Sequence, residues 1–176
     1  IADQFDGNTN TDLKLGLDLK YGITDNITLD ATLIPDFSQA RFDNNFLNLG
    51  PFEQTFTERR QFFKEGVELF SKGDLFFSRR IGGAPKGSPS TQADEVVESI
   101  PESTDLINAI KVSGRQKSGL GIGVFNAVSE RTFAQVRDTL TNETRKELVE
   151  PLTNYNILVA DQQFNNNSSV TLINTN

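Results

Sequence analysis

The sequence contains no cysteine and no histidine. Without cysteine there are no disulfides and no thiol chemistry. Without histidine the commonest metal ligand and the commonest general base are missing. Ser-His-Asp and Cys-His catalytic sets, and zinc sites built on His or Cys, are therefore excluded within this chain. There is no run of Lys and Arg of the kind that anchors a segment to anionic lipid. A formal net charge of -7 repels phosphate backbones and speaks against nucleic acid as a partner. No stretch approaches the roughly 18 apolar residues of a membrane helix, but a strand crosses a bilayer with far fewer. The sequence opens neither on Met nor with a signal-peptide pattern. The first residues, IADQFDGNTN, read as the middle of a longer protein, and the last, SSVTLINTN, as a strand still running.

What is present is strand alternation, in a chain of 176 residues that is long enough for one domain with a core. Leu13, Leu15, Leu17, Leu19 and Tyr21 alternate with Asp12, Lys14, Gly16, Asp18 and Lys20, which is period two. Thr24-Asp25-Asn26 supplies turn chemistry, and Ile27, Leu29, Ala31 and Leu33 then alternate with Thr28, Asp30 and Thr32 up to Pro35. This predicts a hairpin with one apolar and one polar face. A second hairpin is predicted from Ile110 and Val112 through the turn at Gln116-Lys117-Ser118-Gly119 to Leu120, Ile122 and Val124. A third runs from Tyr155, Ile157, Val159 and Phe164 through 165–168 to Val170 and Leu172.

The turns at 24–26, 116–119 and 165–168 are short, while the connections at 35–106 and 127–152 are long. Short turns alternating with long loops, on strands with one apolar face, fit an outer-membrane barrel. The competing reading is a soluble antiparallel sheet with one wet face. Six strands cannot close a membrane barrel, so the barrel reading requires strands beyond Asn176. The expected fold is all-β: the first strands of an incomplete antiparallel transmembrane β-barrel over residues 1–176, with a long, partly helical insert at 36–105.

The insert holds the candidate site. In LNLGPFEQTFTERRQFFKEGVELF, Phe52, Phe56, Phe63 and Phe70 are spaced as on one helical stripe, though Gly66 interrupts it. DLFFSRRIGG follows, and APKGSPSTQADEVVESIPEST reads as a mobile exposed loop. Arg59, Arg60, Arg79 and Arg80 with Phe62, Phe63 and Glu65 form a candidate anion- or sugar-binding surface, since Arg forks suit carboxylates and phosphates and rings stack on them. The structural alternative is an internal ion-pair net with Glu58, Glu65 and Glu68 that packs the insert against a polar lumen. Glu65 and Glu68 are spaced so that they would share a helix face, but spacing alone does not make a glycosidase pair. Asp36, Asp43, Asn44 and Asn45 offer oxygen ligands at a spacing that matches no standard calcium loop. No metal, cofactor or catalytic residue is assigned. Asn142-Glu143-Thr144 and Asn167-Ser168-Ser169 match the glycosylation pattern and read as marks of exposure. RTFAQVRDTLTNETRKELVE, charged and amphipathic, reads as a small helix on the second long loop.

LKLGLDLKYGITDNITLDATLIPDFSQ, NLGPFEQTFTERRQFFKEGVELF and LFFSRRIGG resemble the start of the barrel in a family of Gram-negative outer-membrane proteins. In that family a carbohydrate-binding-like domain of the family-9 type precedes a C-terminal transmembrane β-barrel. VSGRQKSGLGIGVFNAVSERT and LVEPLTNYNILVADQQFNNNSSVTLINTN resemble its next two hairpins, so the likeness covers nearly the whole chain. Pro35 to Gln39 and the FFKEG and LFFSRRIG stretches carry it most specifically. The chain departs from the family at Ala40-Arg41-Phe42 and at Thr57 to Arg60, so no ligand is carried over through those positions. The resemblance implies a place, the outer membrane, and partners: outer-membrane lipid and other envelope proteins. The expected function is a non-enzymatic outer-membrane barrel, a transport or export channel or a component of an envelope complex. The alternative is the membrane-anchored part of a surface protein that binds or hydrolyses glycans, with a glycan as its ligand.

Overall fold

The structure, a computed structural model, describes residues 16–34, 57–165 and 168–176. These residues form nine strands: β1 (Leu17–Thr24), β2 (Ile27–Leu33), β3 (Glu95–Ser99), β4 (Leu106–Arg115), β5 (Leu120–Ser129), β6 (Thr132–Asp138), β7 (Thr144–Glu150), β8 (Thr153–Asn165) and β9 (Ser168–Thr175). Among the described residues the only helical pieces are single 3-10 turns at Gln61–Phe63, Lys72–Asp74 and Ser78–Arg80. None is long and apolar enough to cross a membrane.

The fold is all-β and antiparallel. A six-stranded sheet has the order β1-β2-β4-β5-β8-β9, and a three-stranded sheet has the order β3-β6-β7. With the second sheet set aside, the larger one is an up-and-down meander of the three hairpins legible in the alternation. It is open: among the described residues β1 and β9 each pair on one side only. The tight turns at 25–26 and 116–119, and the paired ends of β8 and β9 at Asn165 and Ser168, lie at one end of this sheet. Both long connections leave from the other end, where Leu33 pairs with Asn108, Leu106 with Ser129, and Ser129 with Thr153.

The helix expected in RTFAQVRDTLTNETRKELVE is instead the β6–β7 hairpin. Thr132, Ala134 and Val136 point inward and are buried, while Phe133 and Gln135 point outward. The period is therefore two: Gln135, Arg137 and Lys146 fall at outward positions, while Arg145 and Glu147 lie opposite Val136 and Ala134 on the inward face and pair with each other. Asp138 makes that turn by accepting hydrogen bonds from the amides of Leu140 (2.7 Å) and Thr141 (3.0 Å). The Pro- and Ser-rich part of the first insert, expected to be a mobile exposed loop, contains β3, which docks on β6. The smaller sheet thus ties the two long connections together at one end of the molecule.

Arg145 on β7 secures β3, donating to both carboxylate oxygens of Glu95 (2.7 and 2.8 Å) and to Glu147. Hydrogen bonding from Arg145 holds the Glu95 carboxyl down at about 2, against an ordinary 4.5. A folded value below the ordinary one means this stabilisation is complete above about 4.5 and lost as pH falls towards about 2. Amide exchange in β3, corrected for intrinsic rates, is expected to rise on acidification through that window. In Glu95→Gln it should be raised already at neutral pH and flat across the window. An unchanged acid response in the variant would remove Glu95 from the account.

The two faces of the large sheet differ in kind. One carries Leu17, Leu19, Tyr21 and Ile23 on β1, Ile110 on β4, Val124 on β5, Leu158 and Phe164 on β8, and Val170 and Leu172 on β9, all exposed. Leu19 is 52% and Leu172 70% exposed. The other face carries Lys20, Asp30, Lys111, Phe125 and Ile157, aligned across five strands by the register. Asp161 also lies on it. Residues 57–83 lie over this charged face, so the apolar core of the molecule sits between the sheet and the insert. It comprises Phe63, Leu69, Phe70 and Ile81 from the insert, with Leu106, Ala109, Phe125, Ala127, Ile157 and Val159 from the sheet. Gly121 and Gly123 on β5 make the close approach feasible. A Cβ there would come within 2.9 Å of Leu69 and 3.0 Å of the Phe70 ring respectively.

Candidate functional site

The seam between the sheet's charged face and the insert gathers the buried Lys111, Ser113 and Asp161. Phe125 is the apolar anchor. Its ring meets Phe62, Phe63, Phe70 and Phe76 at centroid distances of 6.3, 6.0, 6.1 and 5.4 Å. Phe63 and Phe70, two of the four phenylalanines that suggested a helical stripe, do share one core, but through irregular chain. Phe52 and Phe56 lie outside the described residues.

Beside Phe125 in the register, Lys111 on β4 is 1% exposed. Its ammonium donates to the carbonyls of Phe62 (2.7 Å) and Glu65, lies 4.6 Å from the Phe62 ring centre, and has the Asp30 carboxylate 3.6 Å away. A strand residue thus caps the otherwise unpaired carbonyls around a 3-10 turn. Two further ion pairs join sheet to insert. Lys20 reaches Glu65 at 2.7 Å, and Lys72 reaches Asp161 at 2.6 Å. Asp161 is fully buried and also accepts from Arg115 and Thr171. The hydrogen bonds from Lys20 and Gln61 pull the Glu65 carboxyl below its ordinary range.

Arg60 is buried and works inside the insert. It grips both oxygens of Glu58 (2.8 and 2.7 Å), donates to the carbonyls of Ile81 (2.6 Å) and Ser78 (2.8 Å), and lies over the Phe63 ring at 4.1 Å. Burial alone would raise the Glu58 carboxyl, but the bonds from Arg60 and Ser78 outweigh it and hold the group low. Arg60 therefore staples the 57–63 strand of chain to the 78–81 turn. Arg59 is exposed beside Glu58, Arg79 is half-buried, and Arg80 lies 5.7 Å from the Phe77 ring centre. Of the ion-pair net expected among the arginines, Glu58, Glu65 and Glu68, the Arg60–Glu58 pair is present, and Glu65 pairs with Lys20 on the sheet. Glu68 is exposed at the seam.

Between insert and sheet runs a groove of about 350 Å³, bounded by Lys20, Asp30, Glu68, Leu69, Lys72 and Arg115 among others. Among the described residues no group of His, Cys, Asp and Glu is arranged to hold a metal ion. Asp36, Asp43, Asn44, Asn45 and the Pro35 to Gln39 stretch lie outside the described residues. A family model described as "Domain of unknown function (DUF5916)" matches residues 1–176. No curated protein and no solved structure matches the chain.

Proposed function

We propose that this chain, which belongs to the DUF5916 family, forms part of the wall of an outer-membrane β-barrel, with residues 57–83 lying inside the lumen as an anchored plug. The reading makes it a non-enzymatic component of a transport or export channel or of a larger envelope complex. One observation carries it. The face of the six-stranded sheet that holds an apolar band from Leu17 and Leu19 to Val170 and Leu172 is bare, while the face that holds Lys20, Asp30, Lys111 and Asp161 is the one covered by the insert. A water-soluble sheet would bury the first and wet the second. A barrel wall in lipid turns an apolar band outward and a polar face inward, which the bare and covered faces here match.

The shape of the bare face supports the same reading. On β1 and β2 apolar residues run to the long-connection end, at Leu17 and Leu33. On β8 and β9 they lie towards the turn end, at Leu158, Phe164, Val170 and Leu172, while Asn154, Asn156 and Asn174 occupy the other end. The apolar band therefore crosses the strands obliquely, as it must when strands tilt about 35–45° through a flat hydrocarbon layer. Bare edges at β1 and β9 would cost several kcal/mol per unpaired group in lipid, so further strands must close the sheet.

The experiment is fractionation of the full-length protein followed by gels run with and without heating. It should partition with outer membranes, resist extraction by salt and carbonate, and migrate faster unheated than boiled. Release by salt into the soluble fraction, with one mobility in both gels, would overturn the proposal.

A further inference from the structure

We infer that the seam groove binds a small monoanionic carboxylate between the Lys72 ammonium and the Arg115 guanidinium. The inference rests on the lumen reading, under which the groove opens into the barrel interior. Lys72 and Arg115 both pair with Asp161, whose side chain is fully enclosed. Two positive groups thus share one negative group, an excess of one positive charge at the groove wall. Both cations remain about a third exposed, at 34% and 30%. Neither is saturated. An ammonium has three donors and a guanidinium five. Lys72 spends one on Asp161, and Arg115 spends its bonds on Asp161 and the Gly119 carbonyl (2.7 Å).

The rest of the lining sets the ligand's class. Asp30 is already drawn to Lys111 and Lys20, at 3.6 and 3.9 Å, so it leaves the excess at the other side intact. Glu68, exposed and in no ion pair among the described residues, adds one negative charge to the lining, which admits a single anionic group and repels a dianion. Thr28 and Ser113 supply hydroxyls, and Leu69 supplies an apolar wall for a short aliphatic part. At about 350 Å³ the groove lies at the small end of ligand pockets.

The test uses full-length protein in detergent and sodium acetate as the probe, titrated against sodium chloride at equal ionic strength. Acetate should raise the unfolding midpoint saturably beyond chloride, since a ligand that binds only the folded state stabilises it. Glu68→Gln should tighten apparent binding roughly two- to fivefold, the scale of one exposed charge interaction. Lys72→Gln should weaken it about tenfold or more, the scale of a charge-assisted hydrogen bond. Because Lys72 also tethers the insert, Glu68→Gln is the deciding variant. Acetate acting no better than chloride on both wild type and Glu68→Gln would overturn the inference. Fractionation tests the membrane reading separately, so either can fail without the other.

Discussion

Phe125→Ala is expected to release residues 57–83 from the sheet and to cost about 3–5 kcal/mol of stability, the usual price of emptying a fully buried aromatic site. Phe125 is 1% exposed and is the ring that the four insert phenylalanines share. No neighbour can collapse into the gap easily, because Gly123 beside it on β5 presents no side chain on that face. The released insert should become a substrate for trypsin at Arg59, Arg60, Arg79 and Arg80, which the native packing holds in place. Limited proteolysis of the full-length protein, read by fragment mass, checks this. A variant as resistant as wild type would mean that the insert is held by contacts other than this core.

Lys111→Met should have the next largest effect. Methionine nearly matches the stem in length and keeps the packing on Phe62, so the change isolates the ammonium. Its loss leaves the Phe62 and Glu65 carbonyls without this donor and the Asp30 carboxylate with Lys20 alone, 3.9 Å away. An unpaired buried polar group costs roughly 1–3 kcal/mol. Removing a buried charge returns part of that, so a net loss of about 2–3 kcal/mol is expected. Denaturant unfolding of the full-length protein in detergent measures it, and amide exchange should localise the loosening to 61–66. A neutral or stabilising result would show that the lysine's own desolvation outweighs its bonds.

The three hairpins of the large sheet were legible because period-two alternation is local and the turn residues mark their ends. The smaller sheet was not. β3 sits in a Pro-, Ser- and acid-rich stretch, and its reason for being a strand is β6, some 35 residues later in the chain. β6 and β7 have the right period, but their outward Gln135, Arg137 and Lys146 give the segment the charge density of a solvated helix. Within the insert, the Arg60–Glu58 pair could be anticipated from two opposite charges two residues apart. Lys111 and Asp161 could not. An inward polar residue on a strand looks the same whether it meets water or another segment, and only the insert's position on the sheet tells them apart. Two signals were present nonetheless. Lys20, Asp30 and Lys111 alternate in charge once the hairpins are set in register, and β5 carries glycines on that same face.

The central claim, that the bare apolar face meets lipid, is tested most directly by cysteine accessibility in native membranes. The chain has no cysteine of its own, so single substitutions report without background from this segment. Leu19→Cys, Leu158→Cys and Leu172→Cys should resist a membrane-impermeant maleimide in intact outer membranes and react with a lipid-soluble one. Lys20→Cys, one residue from Leu19 on the opposite face, should react with the impermeant reagent once it has access to the lumen. If the three apolar-face cysteines label with the impermeant reagent as fast as the one at position 20, that face is bathed in water and the barrel account is wrong.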